Sequence, residues 1–140
     1  MTAAPFSDLE EAMETAPRKG KSATPSELAI QTLFRSRARM QCPAVRIVAI
    51  PNAAKRGQKA MNQARREGAA WGFPDVMCLA GGRAAFIEFK AAKGKLSDNQ
   101  ADWLDWLSAT GFPATVARSP DEALAFLKAN GFPFLQSVFA

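Results

Sequence analysis

The feature that most limits how this chain can fold is the pair Gly81-Gly82, set between the runs "DVMCL" and "AAFIEFK". Both runs read as strands, and Gly-Gly is a favoured two-residue hairpin turn because both central residues can take positive φ. The turn fixes a register. Leu79 then faces Ala84, Met77 faces Phe86, and Asp75 faces Glu88. Carboxylates directly opposed across a ladder have Cβ atoms roughly 4.5–5.5 Å apart and repel. Lys90 projects from the same face as Glu88, whereas Ile87 and Phe89 point to the other, apolar side. One lysine beside two carboxylates leaves negative charge uncompensated, and a hard divalent cation with oxygen ligands would remove the conflict. The run "FIEFK" is apolar enough for an interior strand, where unmatched charge is costly. Pro74 suits the first residue of a strand, where no ladder donor is needed.

Around this hairpin the sequence reads as one domain with a tail. Residues 1–23 are rich in Ala, Ser, Pro and charge with weak periodicity, and are expected to form a flexible N-terminal tail; residues 24–140 form the domain. Thr24, Pro25 and Glu27 carry a capping-box and proline-first signature, which predicts a helix from there to about Arg39. "AVRIVAI" is a short β-branched run closed by Pro51, and "GQKAMNQARREGAA" is a polar, helix-prone connector. After the hairpin, Ser97 and Gln100 make a second capping box, followed by Trp103, Leu104 and Leu107 on a helical stripe ending near Gly111. "ATVA" is a last strand. Ser119, Pro120, Glu122 and Gly131 bracket a final helix. The apolar tail residues Phe132, Phe134, Leu135, Val138 and Phe139 are expected to pack on the core or on a partner.

Composition narrows the chemistry. The 140 residues contain no histidine, which removes Ser-His-Asp and Cys-His catalysis, histidine metal sites and histidine general bases. Cys42 and Cys78 have no CxxC spacing and read as reduced, buried thiols. The formal net charge is +5, and the positive charge is unevenly spread. No acid lies between Glu27 and Glu67, while Arg35, Arg37, Arg39, Arg46, Lys55, Arg56, Lys59, Arg65 and Arg66 all do. A one-signed block of this kind suits a polyanion, because neutralising phosphates releases condensed counterions. No apolar run is long enough to span a membrane, and the start lacks a basic head followed by an apolar stretch, so a cytoplasmic protein is expected.

Taken together, "GFPD" at residues 72–75, "IEFK" at 87–90 and "LSDNQ" at 96–100 resemble the PD-(D/E)xK nuclease superfamily, and more closely its VRR-NUC branch, over roughly residues 24–128. The resemblance implies a restriction-endonuclease-like α/β core, a small mixed sheet flanked by helices in the order αβββαβ. It implies Asp75 and Glu88 as ligands of Mg²⁺ or Mn²⁺, joined by the Phe89 main-chain carbonyl. Lys90 would position or deprotonate the attacking water. Glu27 matches the helix-one glutamate that often completes such sites, and Gln100 the branch's glutamine. Asn52 is similar to a family asparagine, although members often follow it with Glu where this chain has Ala53. Arg35, Arg39, Asn52, Lys55, Arg56, Lys59, Arg65 and Arg66 would hold the DNA backbone. Small stand-alone members resemble phage-type enzymes that act as homodimers on branched DNA, including four-way junctions. The competing expectations are a non-catalytic DNA-binding module of the same fold and a nuclease with broader or restriction-like specificity.

Overall fold

The computed structural model describes residues 24–51, 57–68 and 70–136. The expected tail, and with it Asn52, Lys55, Arg56, Val138 and Phe139, lies outside the described residues. Among the described residues, four helices and four strands follow in the order α1 (Glu27–Gln41), β1 (Arg46–Ala49), α2 (Gln58–Arg66), β2 (Val76–Ala80), β3 (Arg83–Phe89), α3 (Asp98–Ala109), β4 (Ala114–Ala117) and α4 (Pro120–Ala129). The polar connector is therefore itself helical over α2.

The four strands form one mixed sheet in the order β1-β2-β3-β4. β1 and β3 each pair antiparallel with β2, and β4 joins β3 in parallel through the α3 crossover. Gly81 and Gly82 have φ of 53° and 77°, so the turn takes the doubly positive form that continues the strand twist. The register is the expected one, with Leu79 opposite Ala84 and Met77 opposite Phe86. β3 is an interior strand, and this is why its last residues are buried.

Alternation along β3 divides the molecule into two cores. Ala85, Ile87 and Phe89 face one side together with Val76 and Cys78, and all five are fully buried. α1 and α4 cover that side. α1 and its C-cap present Ile30, Phe34, Ala38 and Cys42 at four-residue spacing, and the Phe34 ring lies 5.4 Å from that of Phe89. Phe86 and Glu88 face the opposite side, which α3 covers. There Phe73 packs edge-on to Phe86 and to Trp103, at centroid distances of 5.5 and 4.9 Å. Both cysteines are free and buried; burial, and secondarily Cys42, pushes the Cys78 thiol up to about 12, so it stays protonated and inert at neutral pH.

The start of α1 departs from expectation. Its N-cap is Ser26, whose side chain accepts from the Ala29 N–H, and Glu27 is the first helical residue rather than the third residue of a box begun at Thr24. Thr24 and Ser26 are both eligible caps, and the later one is used. Its far end also runs past Arg39 to Gln41.

Candidate active site

The open end of the β2–β3 hairpin gathers five of the residues singled out from the sequence. Asp75 lies one position before β2, where the ladder would next bring it opposite Glu88. Its carboxylate Oδ2 accepts a 2.8 Å hydrogen bond from the Phe89 N–H, so the side chain takes the place of the next ladder acceptor. The Asp75 carbonyl accepts from the Ile50 N–H at 2.7 Å, which ties the end of β1 to the same point. The Asp75 and Glu88 carboxyls lie within hydrogen-bonding reach of each other. Lys90 is mostly buried, and its Nζ lies 3.9 Å from Glu27 Oε2 at the start of α1. With the cap at Ser26, Glu27 is the first residue of α1 and its carboxylate approaches Lys90.

Gln100 has two roles at once. Its Oε1 accepts from the Ser97 N–H at 2.9 Å while Ser97 Oγ accepts from the Gln100 N–H, completing the capping box of α3. Its Nε2 donates to Glu88 Oε2 at 3.0 Å. One amide therefore terminates a helix and holds a carboxylate. Gly72 makes the approach possible: it has φ of 82°, and a Cβ there would sit 2.7 Å from the Asn99 backbone carbon and 2.8 Å from the Gln100 nitrogen. Any side chain at 72 would push α3 off the turn that carries Asp75.

Electrostatics at the centre are strained in one direction. Glu88 is only 2% exposed, and its pKa is pushed up to about 8, first by burial and then by the charge of Asp75, with Lys90 opposing. Its Oε1 is buried and finds no hydrogen-bond donor; a hydrogen bond between the two carboxyls requires that one of them carry a proton and donate it to the other. Among the described residues no three acidic or thiol side chains gather closely enough to enclose a metal by themselves. What the cluster does offer is two carboxylates, one buried oxygen lacking a donor, and the Phe89 carbonyl. Strand alternation puts that carbonyl on the same edge as the Phe89 N–H that reaches Asp75. Oxygen donors of this kind suit Mg²⁺ or Mn²⁺, which keep several waters and are bound through one or two carboxylates plus substrate phosphate.

Arg118 is a residue that the sequence reading missed. Its guanidinium Nη1 donates to the Ala91 and Gly94 carbonyls at 2.7 and 2.8 Å, clamping the loop that follows Lys90. Nothing in its sequence context, between β4 and the Ser119 cap, signals that partner 24 to 27 residues away.

The basic residues separate into groups. Lys59, Arg65 and Arg66 are exposed on α2, with the Arg65 guanidinium 5.8 Å over the Trp71 ring. Arg35 and Arg39 lie on the later half of α1, with Arg46 beside them. Arg37 is bound to Asp121 of α4 at 2.7 Å. Of the apolar tail, Phe132 belongs to the core, Phe134 packs against it and Leu135 is exposed.

A mixed sheet whose central hairpin carries Pro-Asp and Glu-x-Lys on one face is the arrangement of a PD-(D/E)xK nuclease-type domain. The sequence profile of the VRR-NUC domain matches residues 10–121, and the chain belongs to the VRR-NUC family. A solved structure described as a "VRR_NUC domain protein" is similar over 92% of this chain and 88% of its own, at 16% identity and a TM-score of 0.49. No curated protein matches the sequence. Among the described residues no helix is long and apolar enough to cross a membrane.

Proposed function

We infer that this nuclease-type domain is a metal-dependent endonuclease that hydrolyses DNA phosphodiester bonds, with branched DNA such as four-way junctions as its preferred substrate and a twofold homodimer as its working unit. The observation that carries the reading is Glu88. A carboxylate this buried, with an oxygen lacking a donor and a second carboxylate beside it, is poorly satisfied by the protein alone. Asp75, Glu88 and the Phe89 carbonyl would hold a divalent cation, which when bound would supply charge neutralisation at the phosphate and acidify water toward neutral pH. The residues of the chain do the rest. Gln100 holds Glu88 through Oε2, which fixes which oxygen is free. Lys90 positions the attacking water and offsets charge that develops on the phosphate. Glu27 orients the Lys90 ammonium. Symmetric cuts across a junction need two sites related by a twofold axis, which favours the dimer.

The test is cleavage of labelled four-way junction, flap, duplex and single-stranded DNA with Mg²⁺, Mn²⁺ or EDTA. Cutting is expected with either metal, none with EDTA, and a loss of at least about a hundredfold in Asp75→Ala and Lys90→Ala. DNA binding without cutting under either metal would replace this reading with a non-catalytic binding module. Equal cutting of every substrate would remove the junction preference alone.

A further inference from the structure

Lys90 stands one residue past the end of β3, so the strand alone does not fix an ammonium carried on a flexible four-carbon stem. The segment that follows helps to do so. Residues 91–94 form a turn closed by the Gly94 N–H, which donates to the Ala91 carbonyl at 3.0 Å. The turn folds back on the lysine, because a Cβ built on Gly94 would stand 3.4 Å from Lys90 Cδ. Arg118 braces this turn from outside. Its Nη1 donates to the first and last carbonyls, those of Ala91 and Gly94, at 2.7 and 2.8 Å, with a longer bond of 3.4 Å to Ala92. Bonds from a charged donor are roughly twice as strong as neutral ones. The Arg118 backbone is itself held, since its N–H donates to Glu122 Oε1 in the first turn of α4 at 2.7 Å. Its neighbour Ala117 accepts from the Lys90 N–H at 3.1 Å. Ala117 and Arg118 therefore grip Lys90 twice, at its amide through the main chain and along its stem through the turn.

We propose that Arg118 is a positioning residue of the active site, which braces the 91–94 turn against the Lys90 stem and so keeps the ammonium in place beside Glu27. Its part in cleavage rests on the nuclease reading above. Arg118 acts through Lys90 and meets no reacting atom. A group that must sit within about 0.5 Å of its productive place depends on neighbours that lock its rotamer, and a misplacement of about 1 Å can cost a hundredfold in rate. Arg118 is also exposed, so the competing role is a direct contact to a phosphate. The two roles differ in what they change.

The test introduces Arg118→Gln into the full chain, alone and together with Lys90→Ala, and measures cleavage with Mg²⁺ of the labelled DNA that the wild-type protein cuts best. Alone, the change should lower kcat at least about tenfold and leave KM within about twofold. In the Lys90→Ala background it should cost less than about twofold, because the side chain it serves is gone. A loss of folded protein would lower both backgrounds alike, so equal losses overturn the proposal. An unaltered kcat overturns it too. Binding in EDTA across a salt series should keep its slope; a slope shallower by about 1 with kcat retained would make Arg118 a phosphate contact instead. A second measurement needs no cleavage. Acetylation of Lys90 by an N-hydroxysuccinimide ester, followed by mass spectrometry relative to Lys128 in the same molecules, should be several-fold faster in Arg118→Gln. Equal rates would show that Arg118 does not hold the lysine. A wild-type protein that cuts no DNA would sink the nuclease reading alone, because the acetylation ratio still decides whether Arg118 positions Lys90.

Discussion

Glu88 concentrates the physics of the site in one side chain. Its folded pKa of about 8 stands above the ordinary value of 4.5, so between those pH values the folded protein holds a proton that the unfolded chain releases. Stability contributed this way is complete below about pH 4.5 and is lost as pH rises through 8, on the order of a few kcal/mol in all. Without metal, the thermal midpoint should therefore fall as pH rises from 5 to 8, and Glu88→Gln should flatten that dependence. A midpoint that rises over this range in the wild-type protein would contradict the burial and charge assigned to Glu88. Some of this was readable beforehand. The Gly81-Gly82 turn fixes the register, and the register brings two acids together. The identity of the group that holds Glu88, and the oxygen left without a donor, depend on how closely α3 approaches, which no periodicity encodes.

At the scale of elements, α3 and the hairpin are joined through Gln100. Ser97→Ala removes the cap alone and should cost about 1 kcal/mol of stability, read from denaturant midpoints, with cleavage within a few-fold of normal. Gln100→Glu should behave in the opposite way. Glutamate serves the capping box as well as glutamine does, so the helix start survives, but the donor to Glu88 becomes another carboxylate. Stability should change less than activity, which should fall by at least about tenfold; the reverse order would show that Gln100 acts only as a cap. The beginning of α1 explains why element boundaries were less legible than element identities. Thr24-Pro25-Ser26 offers two hydroxyl caps within three residues, and the choice of Ser26 determines whether Glu27 serves the helix or faces Lys90. The helix starts at Ser97 and Ser119 form as read, each capped by its serine hydroxyl.

Across the whole molecule, the division into two helical layers follows from patterns with a period of two in β3 and near four in α1. The grouping of cations does not. Arg35, Arg37, Arg39 and Arg46 look equivalent along the chain, yet one is tied to Asp121, 84 residues away, and three surround a cleft. Ligand linkage gives a global readout of the carboxylate cluster. A cation that binds only the folded state raises stability by RT ln(1 + [L]/Kd), about 2.7 kcal/mol at a hundredfold excess over Kd. Millimolar Mg²⁺ should raise the unfolding midpoint of the wild-type protein more at pH 8 than at pH 6, since the proton on Glu88 competes with it. The effect should vanish in Asp75→Ala. A midpoint indifferent to Mg²⁺ and Mn²⁺ at pH 8 would leave the cluster without a metal.

The Phe89 amide hydrogen ends on a carboxylate, whereas those of Phe86 and Lys90 end on backbone carbonyls. A carbonyl keeps its charge in every state of the protein, and a carboxylate does not. One backbone proton on β3 is thereby wired to the charge state of the acid cluster. In isotope-labelled protein its magnetic resonance frequency becomes a natural gauge of what occupies the site, legible before any substrate is added.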